Sequence, residues 1–217
     1  MKRAIILTAA LCILSAVAMA DTFDSDVLNL VTFTNDTRND IEYIFLSPGD
    51  SEYWGPEILG STRILEAGDS LGFYLYYPDE CNDFDIMAID EDGNTAIIFD
   101  YTICDGFEEE IEITRKDMRD DAPDLDLVTV YVENETIEIY YLFISPADSE
   151  MWGVGYLDET TTLESGDEVS FLFPVWDDAT EYDLMAVDSD FDTYSFSFDV
   201  DWSTDDSTFA IEISDLD

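Results

Sequence analysis

"CNDFDIMAIDEDGNTAIIFDYTIC", from Cys81 to Cys104, decides the fold. Two apolar runs flank an Asp-Glu-Asp-Gly-Asn core, and Asp-Gly is a common two-residue turn between paired strands. With Asp92-Gly93 as that turn, Ala88 faces Ile97, Ile86 faces Phe99 and Phe84 faces Tyr101. Each pair is apolar on both sides, which a slipped register would not give. Continued outward, Cys81 faces Cys104. Opposed residues of an antiparallel pair lie about 4.5–5.5 Å apart at Cα, within disulfide range. The stretch therefore predicts a hairpin closed by a Cys81–Cys104 bridge. No redox role is expected, because the pair is not a close CxxC and no basic group neighbours it.

The hairpin belongs to a unit that occurs twice. "YIFLSPGDSEYWGPEILGSTRILEAGDSLGFYL", from Tyr43, returns without a gap as "YLFISPADSEMWGVGYLDETTTLESGDEVSFLF", from Tyr141. "FDIMAIDED" at Phe84 matches "YDLMAVDSD" at Tyr182, "VTFTNDT" at Val31 matches "TVYVENET" at Thr129, and "EIEIT" at Glu110 matches "AIEIS" at Ala210. Each copy is about 90 residues long, the size of one small domain. Between them "TRKDMRDDAPDLD", from Thr114 to Asp126, has no apolar period and reads as a linker.

The pattern inside each copy is β. "SFSFDVDW" puts Phe196, Phe198, Val200 and Trp202 on one face and Ser195, Ser197, Asp199 and Asp201 on the other. No segment carries a sustained helical period. About six or seven short strands per copy predict an antiparallel β-sandwich. The expected architecture is all-β, two tandem antiparallel sandwiches over residues 21–114 and 127–217, joined by a linker over 115–126. In the second hairpin, a three-residue loop Asp190-Phe191-Asp192 would set Ala186 opposite Phe196, Leu184 opposite Phe198 and Tyr182 opposite Val200. Ala179 and Ser203 would then stand where the first copy has its cysteines.

The chain opens "MKRAIILTAALCILSAVAMAD". Lys2 and Arg3, a short apolar run and Ala18-Met19-Ala20 predict a signal peptide over 1–20. The expected destination is the periplasm or the exterior, with no stable membrane insertion after cleavage. An oxidising compartment agrees with the predicted disulfide.

The charge is extreme, 7 Lys+Arg against 53 Asp+Glu and a formal net charge of −46. Nucleic acid and anionic membrane surfaces should be repelled. Such acidity can signal disorder, but hydrophobic residues make up 47% and aromatics 14%, enough for a core. The acid then lies on the surface of a folded protein, and a carboxylate surface that stays hydrated in strong salt, a halophilic adaptation, is the leading explanation.

Asp90, Asp92 and Asn94 alternate along the first turn, as Asp188, Asp190 and Asp192 do along the second. They are candidate calcium ligands. An EF-hand is excluded, because the flanks are strands and Tyr101 stands where the twelfth-position carboxylate would be. "SPGDSEYWG" at Ser47 and "SPADSEMWG" at Ser145 are the other shared motif. Ser-Pro can open a tight turn, and Trp54 and Trp152 would fold back to close one end of each sandwich. As exposed aromatics they are also candidate recognition residues. Asn35-Asp-Thr37 and Asn134-Glu-Thr136 match the glycosylation sequon, though turn chemistry explains them as well.

The series SPxDSExWG, LxxGDS and YDLxAVDxD resembles a repeat of small exported bacterial proteins of unknown function. The likeness spans nearly all of both copies. It implies export and a β fold, and brings no activity or site residues. The second copy departs from it by lacking the cysteines and the turn glycine.

The sequence has no histidine, no P-loop, no nucleophile elbow and no dinucleotide fingerprint. A carboxylate pair acting as a glycoside hydrolase is the least favoured reading, since nothing singles out a pair among 53 acids. The expectation is a non-catalytic, monomeric exported module acting on a protein or polysaccharide surface. A calcium-dependent binding or adhesion module is the second reading.

Overall fold

The computed structural model describes residues 23–60, 63–77, 80–104, 109–120, 126–157, 161–175, 180–200 and 206–217. The expected signal peptide lies outside them, as do the Ala179–Ser203 pair and residues 121–125 of the expected linker.

The first copy forms β1 (Leu28–Asp36), β2 (Ile41–Pro48), β3 (Ser70–Tyr76), β4 (Cys81–Asp90), β5 (Thr95–Cys104) and β6 (Glu109–Thr114). The second forms β7 (Asp126–Asn134), β8 (Ile139–Pro146), β9 (Gly153–Val154), β10 (Glu168–Val175), β11 (Thr180–Asp188), β12 (Thr193–Val200) and β13 (Asp206–Ile211). Among the described residues there is no α-helix, so none is long and apolar enough to cross a membrane.

Each copy builds two facing sheets, as the repeat predicts. One is β2-β4-β5, matched by β8-β11-β12. The other is β6-β1-β3, matched by β13-β7-β10. Pairing is antiparallel except that β6 lies parallel to β1 and β13 parallel to β7. The last strand of each copy thus comes back beside the first. Inward residues alternate as the sequence dictates. Val31 and Phe33 of β1, and Val128, Val130 and Val132 of β7, are buried. β2 and β8 are apolar at most positions because both faces are covered. Ile44 and Leu46 point into the main core, while Phe45 and Tyr43 join a second cluster on the outer face.

Those outer faces explain how the copies sit together. Phe45, Met87 and Ile89 are covered by Trp54 and by Leu127, the start of β7. In the second copy Phe143, Met185 and Val187 are covered by Trp152 and by Phe23, Leu28 and Tyr76 of the first. β9 of the second copy also pairs with β3 of the first, through Leu75↔Val154 and Tyr76↔Gly153. The copies are therefore clasped rather than merely strung in tandem.

The first hairpin carries its disulfide between Cys81 and Cys104, which face each other. Nearer the turn the register differs from expectation by one residue. Ala88 faces Ala96 and Ile86 faces Ile98, not Ile97 and Phe99. The loop is longer than two residues: the Asp90 amide donates to the Asn94 carbonyl and the Gly93 amide to the Asp90 carbonyl. A bulge in β5 between the Phe84 and Ile86 pairs then restores the register, with Asp100 at φ 55°. Phe84 faces Tyr101 as expected. In the second hairpin Ala186 faces Tyr194, Leu184 faces Phe196 and Tyr182 faces Phe198, a slip of two residues from expectation. The loop there is built like the first, with the Asp188 amide donating to the Asp192 carbonyl and Phe191 at φ 66° in place of Gly93. A two-residue slip leaves every side chain on its own face.

The segment after β6 is partly pinned. Arg119 exchanges two backbone hydrogen bonds with Thr95, at 2.8 and 2.9 Å. Both sequon asparagines are fully buried. Asn35 Nδ2 donates to the Leu65 carbonyl and Asn134 Nδ2 to the Leu163 carbonyl, each at 2.8 Å. They tie the end of β1 to the turn before β3 and the end of β7 to the turn before β10.

Candidate functional site

The alternating acids of the hairpins divide into one inward and several outward residues. Asp90 is 4% exposed. Its carboxylate accepts from the Asp92 amide, the Asn94 amide and Asn39 Nδ2, and both of its oxygens accept from Asn94 Nδ2, at 2.8–3.0 Å. Burial alone would raise its pKa, but the Asn94, Asn39 and Asp92 hydrogen bonds outweigh it and hold the carboxyl below its ordinary value. Asp188 does the same work in the second hairpin, accepting from the Asp190 and Asp192 amides and from Tyr194 Oη. Tyr194 is raised by burial first and then by that bond.

In the first loop Asp90 Oδ2 and Asp92 Oδ2 both accept from Asn39 Nδ2, at 3.0 and 2.9 Å, so the Asn39 amide stands between the two carboxylates. In the second loop Asp190 and Asp192 are exposed. Among the described residues, no group of three or more acidic side chains could hold a metal ion. The candidate ligands Asp90 and Asp188 are instead engaged by the amides of their own loops. The physical reason is that an alternating Asp in a short loop serves the loop's own amides first, as an Asx turn.

The Trp motifs occupy the seam. Ser47 and Pro48 end β2 rather than opening a helical turn, and the Ser47 hydroxyl accepts from the Gly55 amide. Asp148 of the second copy accepts from Ser51 Oγ (2.7 Å) and the Glu52 amide (2.9 Å). Asp50 of the first accepts from Ser149 Oγ (2.8 Å) and the Glu150 amide (3.0 Å). Trp54 and Trp152 lie across the outer faces of their own sheets, not over an end of the sandwich.

Beside Trp54 the outer face of β5 is apolar and open. Ile97 is 42% and Phe99 63% exposed, and the Phe99 ring centroid lies 6.5 Å from that of Trp54. The sequence sets them opposite Ala88 and Ile86, which are buried; the longer loop and the bulge put Ala96 and Ile98 there and turn Ile97 and Phe99 out. Polar groups fringe the patch. Thr102 Oγ1 donates to Asp83 Oδ1 (2.6 Å) and the Asp100 amide to Asp85 Oδ1 (2.9 Å). Burial, with Asp100 and Asp83 nearby, raises the Asp85 carboxyl. At the matching positions the second copy has Ser195, opposite Met185, and Ser197, opposite Asp183. The signal that could have found the patch is this apolar-for-serine difference between copies.

Sequence reasoning also passed over Glu57. It is 1% exposed, accepting from the Ile44 and Leu59 amides at Oε1 and from the Gly60 amide at Oε2. Burial pushes its carboxyl up to about 7, against those bonds and Arg63. It lines a cavity of about 400 Å³ between the copies, with Arg63, Tyr156, Glu168 and Phe171. Gly155 occupies the matching place in the second copy.

No family model and no curated protein matches this chain. Among solved structures, a family CBM26 module from Eubacterium rectale Amy13K, in complex with maltoheptaose, aligns over 84% of this chain and 90% of its own, at 11% identity and a TM-score of 0.24. A candidate adhesin from Bacteroides ovatus aligns over 87% and 91%, at 8% identity and a TM-score of 0.25. Superpositions this loose carry no assignment of site or ligand.

Proposed function

We propose that this chain is an exported, non-catalytic binding protein that holds a neutral polysaccharide against the outer face of β2-β4-β5. One observation carries the reading. Ile97 and Phe99 are exposed beside Trp54, where the second copy builds the same strand with serines. The fold does not require apolar residues there, and large exposed apolar surface marks an interaction site. Flat rings cover the C–H faces of sugars, and the carboxylates of Asp83 and Asp85 can accept sugar hydroxyls at the margin. A net charge of −46 turns away polyanionic glycans and leaves neutral ones. The Cys81–Cys104 disulfide supports an exported location. The remaining acidic surface suits work in high salt.

Depletion from solution by insoluble cellulose, starch or chitin tests this. The intact protein should be retained by at least one of them, in buffer with chelator and at high salt. Retention by none, alongside specific capture of a protein ligand by the same face, would replace the polysaccharide with a protein partner. Retention that appears only with calcium would favour the loop carboxylates instead.

A further inference from the structure

We infer that the face each repeat turns toward the other is a self-sufficient association surface whose partner is a second repeat of the same kind, in cis or in trans. The seam contacts are reciprocal. The Glu57 amide donates to the Leu172 carbonyl (2.8 Å), and the Gly155 amide, at the matching position of the other copy, donates to the Tyr74 carbonyl (2.7 Å). Interchanging the two copies converts one bond into the other. The same holds for the aspartates: Asp148 takes Ser51 Oγ and the Glu52 amide, and Asp50 takes Ser149 Oγ and the Glu150 amide. A patch that meets its own equivalent in this way is the isologous geometry of a two-fold dimer, here realised within one chain.

The apolar part is reciprocal at one pair of matching positions. Leu28 covers the outer sheet face of the second copy and Leu127 that of the first, while Phe23 and Tyr76 add to the cover over the second. The main core also runs continuously through both copies, so cutting the chain between them leaves every one of these contacts in place.

Charge sharpens the expectation. The two clasping aspartates accept from hydroxyls and backbone amides, which carry no charge for salt to screen. Both halves are strongly acidic, so like-charge repulsion opposes their union, and screening relieves it. Association of the halves should therefore tighten as salt rises, the reverse of an interface held by ion pairs.

A protease site inserted between Ala122 and Pro123 of the full chain makes the test. After complete cleavage, size exclusion and native mass spectrometry should give one species with the mass of the intact chain at micromolar concentration. Dissociation on dilution should be slower in 2 M than in 0.1 M sodium chloride. Asp50→Ala together with Asp148→Ala should weaken the cut complex roughly tenfold or more while the uncut variant stays folded. Mixing cut protein with a tagged uncut chain should let a free half enter a tagged assembly. Halves that separate at micromolar concentration in high salt, folded or unfolded, would overturn the inference. So would a cut complex that the two aspartate substitutions leave unchanged.

Discussion

The hairpins β4–β5 and β11–β12 share a loop and differ in what they show to solvent. Both turn on an inward aspartate and a residue of positive φ, Asp90 with Gly93 and Asp188 with Phe191. β12 then runs without a register shift and presents Ser195 and Ser197. β5 carries one residue more, bulges at Asp100 and presents Ile97 and Phe99. The surroundings differ in the same sense. Phe23 sits against Tyr76 and Tyr141 at 5.0 Å, with Phe143 at 6.1 Å and Phe191 at 6.3 Å, and seals the second hairpin. On the first, the other copy contributes Leu127 to the outer apolar cluster. One fold thus closes with a smooth polar strand in one copy and a bulged apolar one in the other. The bulge and its apolar pair are additions to the fold, not conditions of it.

The largest effect should come from opening the sealed side. Phe23→Ala removes a ring that is 8% exposed and should cost about 3 kcal/mol of unfolding free energy. Phe99→Ala, on the open side, should cost less than about 1 kcal/mol. Urea titrations of both variants check this, and equal losses would abolish the contrast. Close behind comes the disulfide. Cys81 and Cys104 enclose a loop with a sequence separation of 23, so replacing both by alanine should cost about 3 kcal/mol. Hydrogen exchange should then rise in β4 and β5 while β11 and β12 keep their protection. Exchange that rises alike in both hairpins would mean the bridge does not act locally.

Glu57 gives the clearest pH signature. Its folded value, about 7, lies above the ordinary 4.5, so the fold favours the protonated form. That contribution is complete below about pH 4.5 and is lost as pH rises through about 7, to a ceiling of about 3 kcal/mol. Glu57→Gln should flatten this part of the stability profile, whereas the general repulsion among surface carboxylates stays the same in both proteins. Parallel profiles between pH 4.5 and 7 would assign the slope elsewhere.

Much of this was legible in sequence, for reasons that residues make plain. The repeat, the β class and the outward serines of β12 follow from period and self-similarity. The Cys81–Cys104 pairing was read correctly although two details beneath it were not. The longer loop shifts the register by one and the bulge at Asp100 shifts it back, so the cysteines meet either way. No alternation marks the bulge, because Asp tolerates the left-handed region and occurs throughout this chain. The slip of two residues in the second hairpin was invisible because it preserves both faces. Glu57 hid among 53 acidic residues. The clasp between Asp50 and Asp148 was hidden by distance along the chain, although two aspartates at the same place in both copies are what a two-fold contact needs.

The polysaccharide face is tested most directly by making each strand resemble the other. Ile97→Ser with Phe99→Ser gives β5 the outer residues of β12, and depletion by the polysaccharide that retains the intact protein is then measured. The expected result is at least a tenfold loss of retention with the melting temperature nearly unchanged. Unaltered retention in that folded variant would contradict the assignment of the binding face to β5 and Trp54.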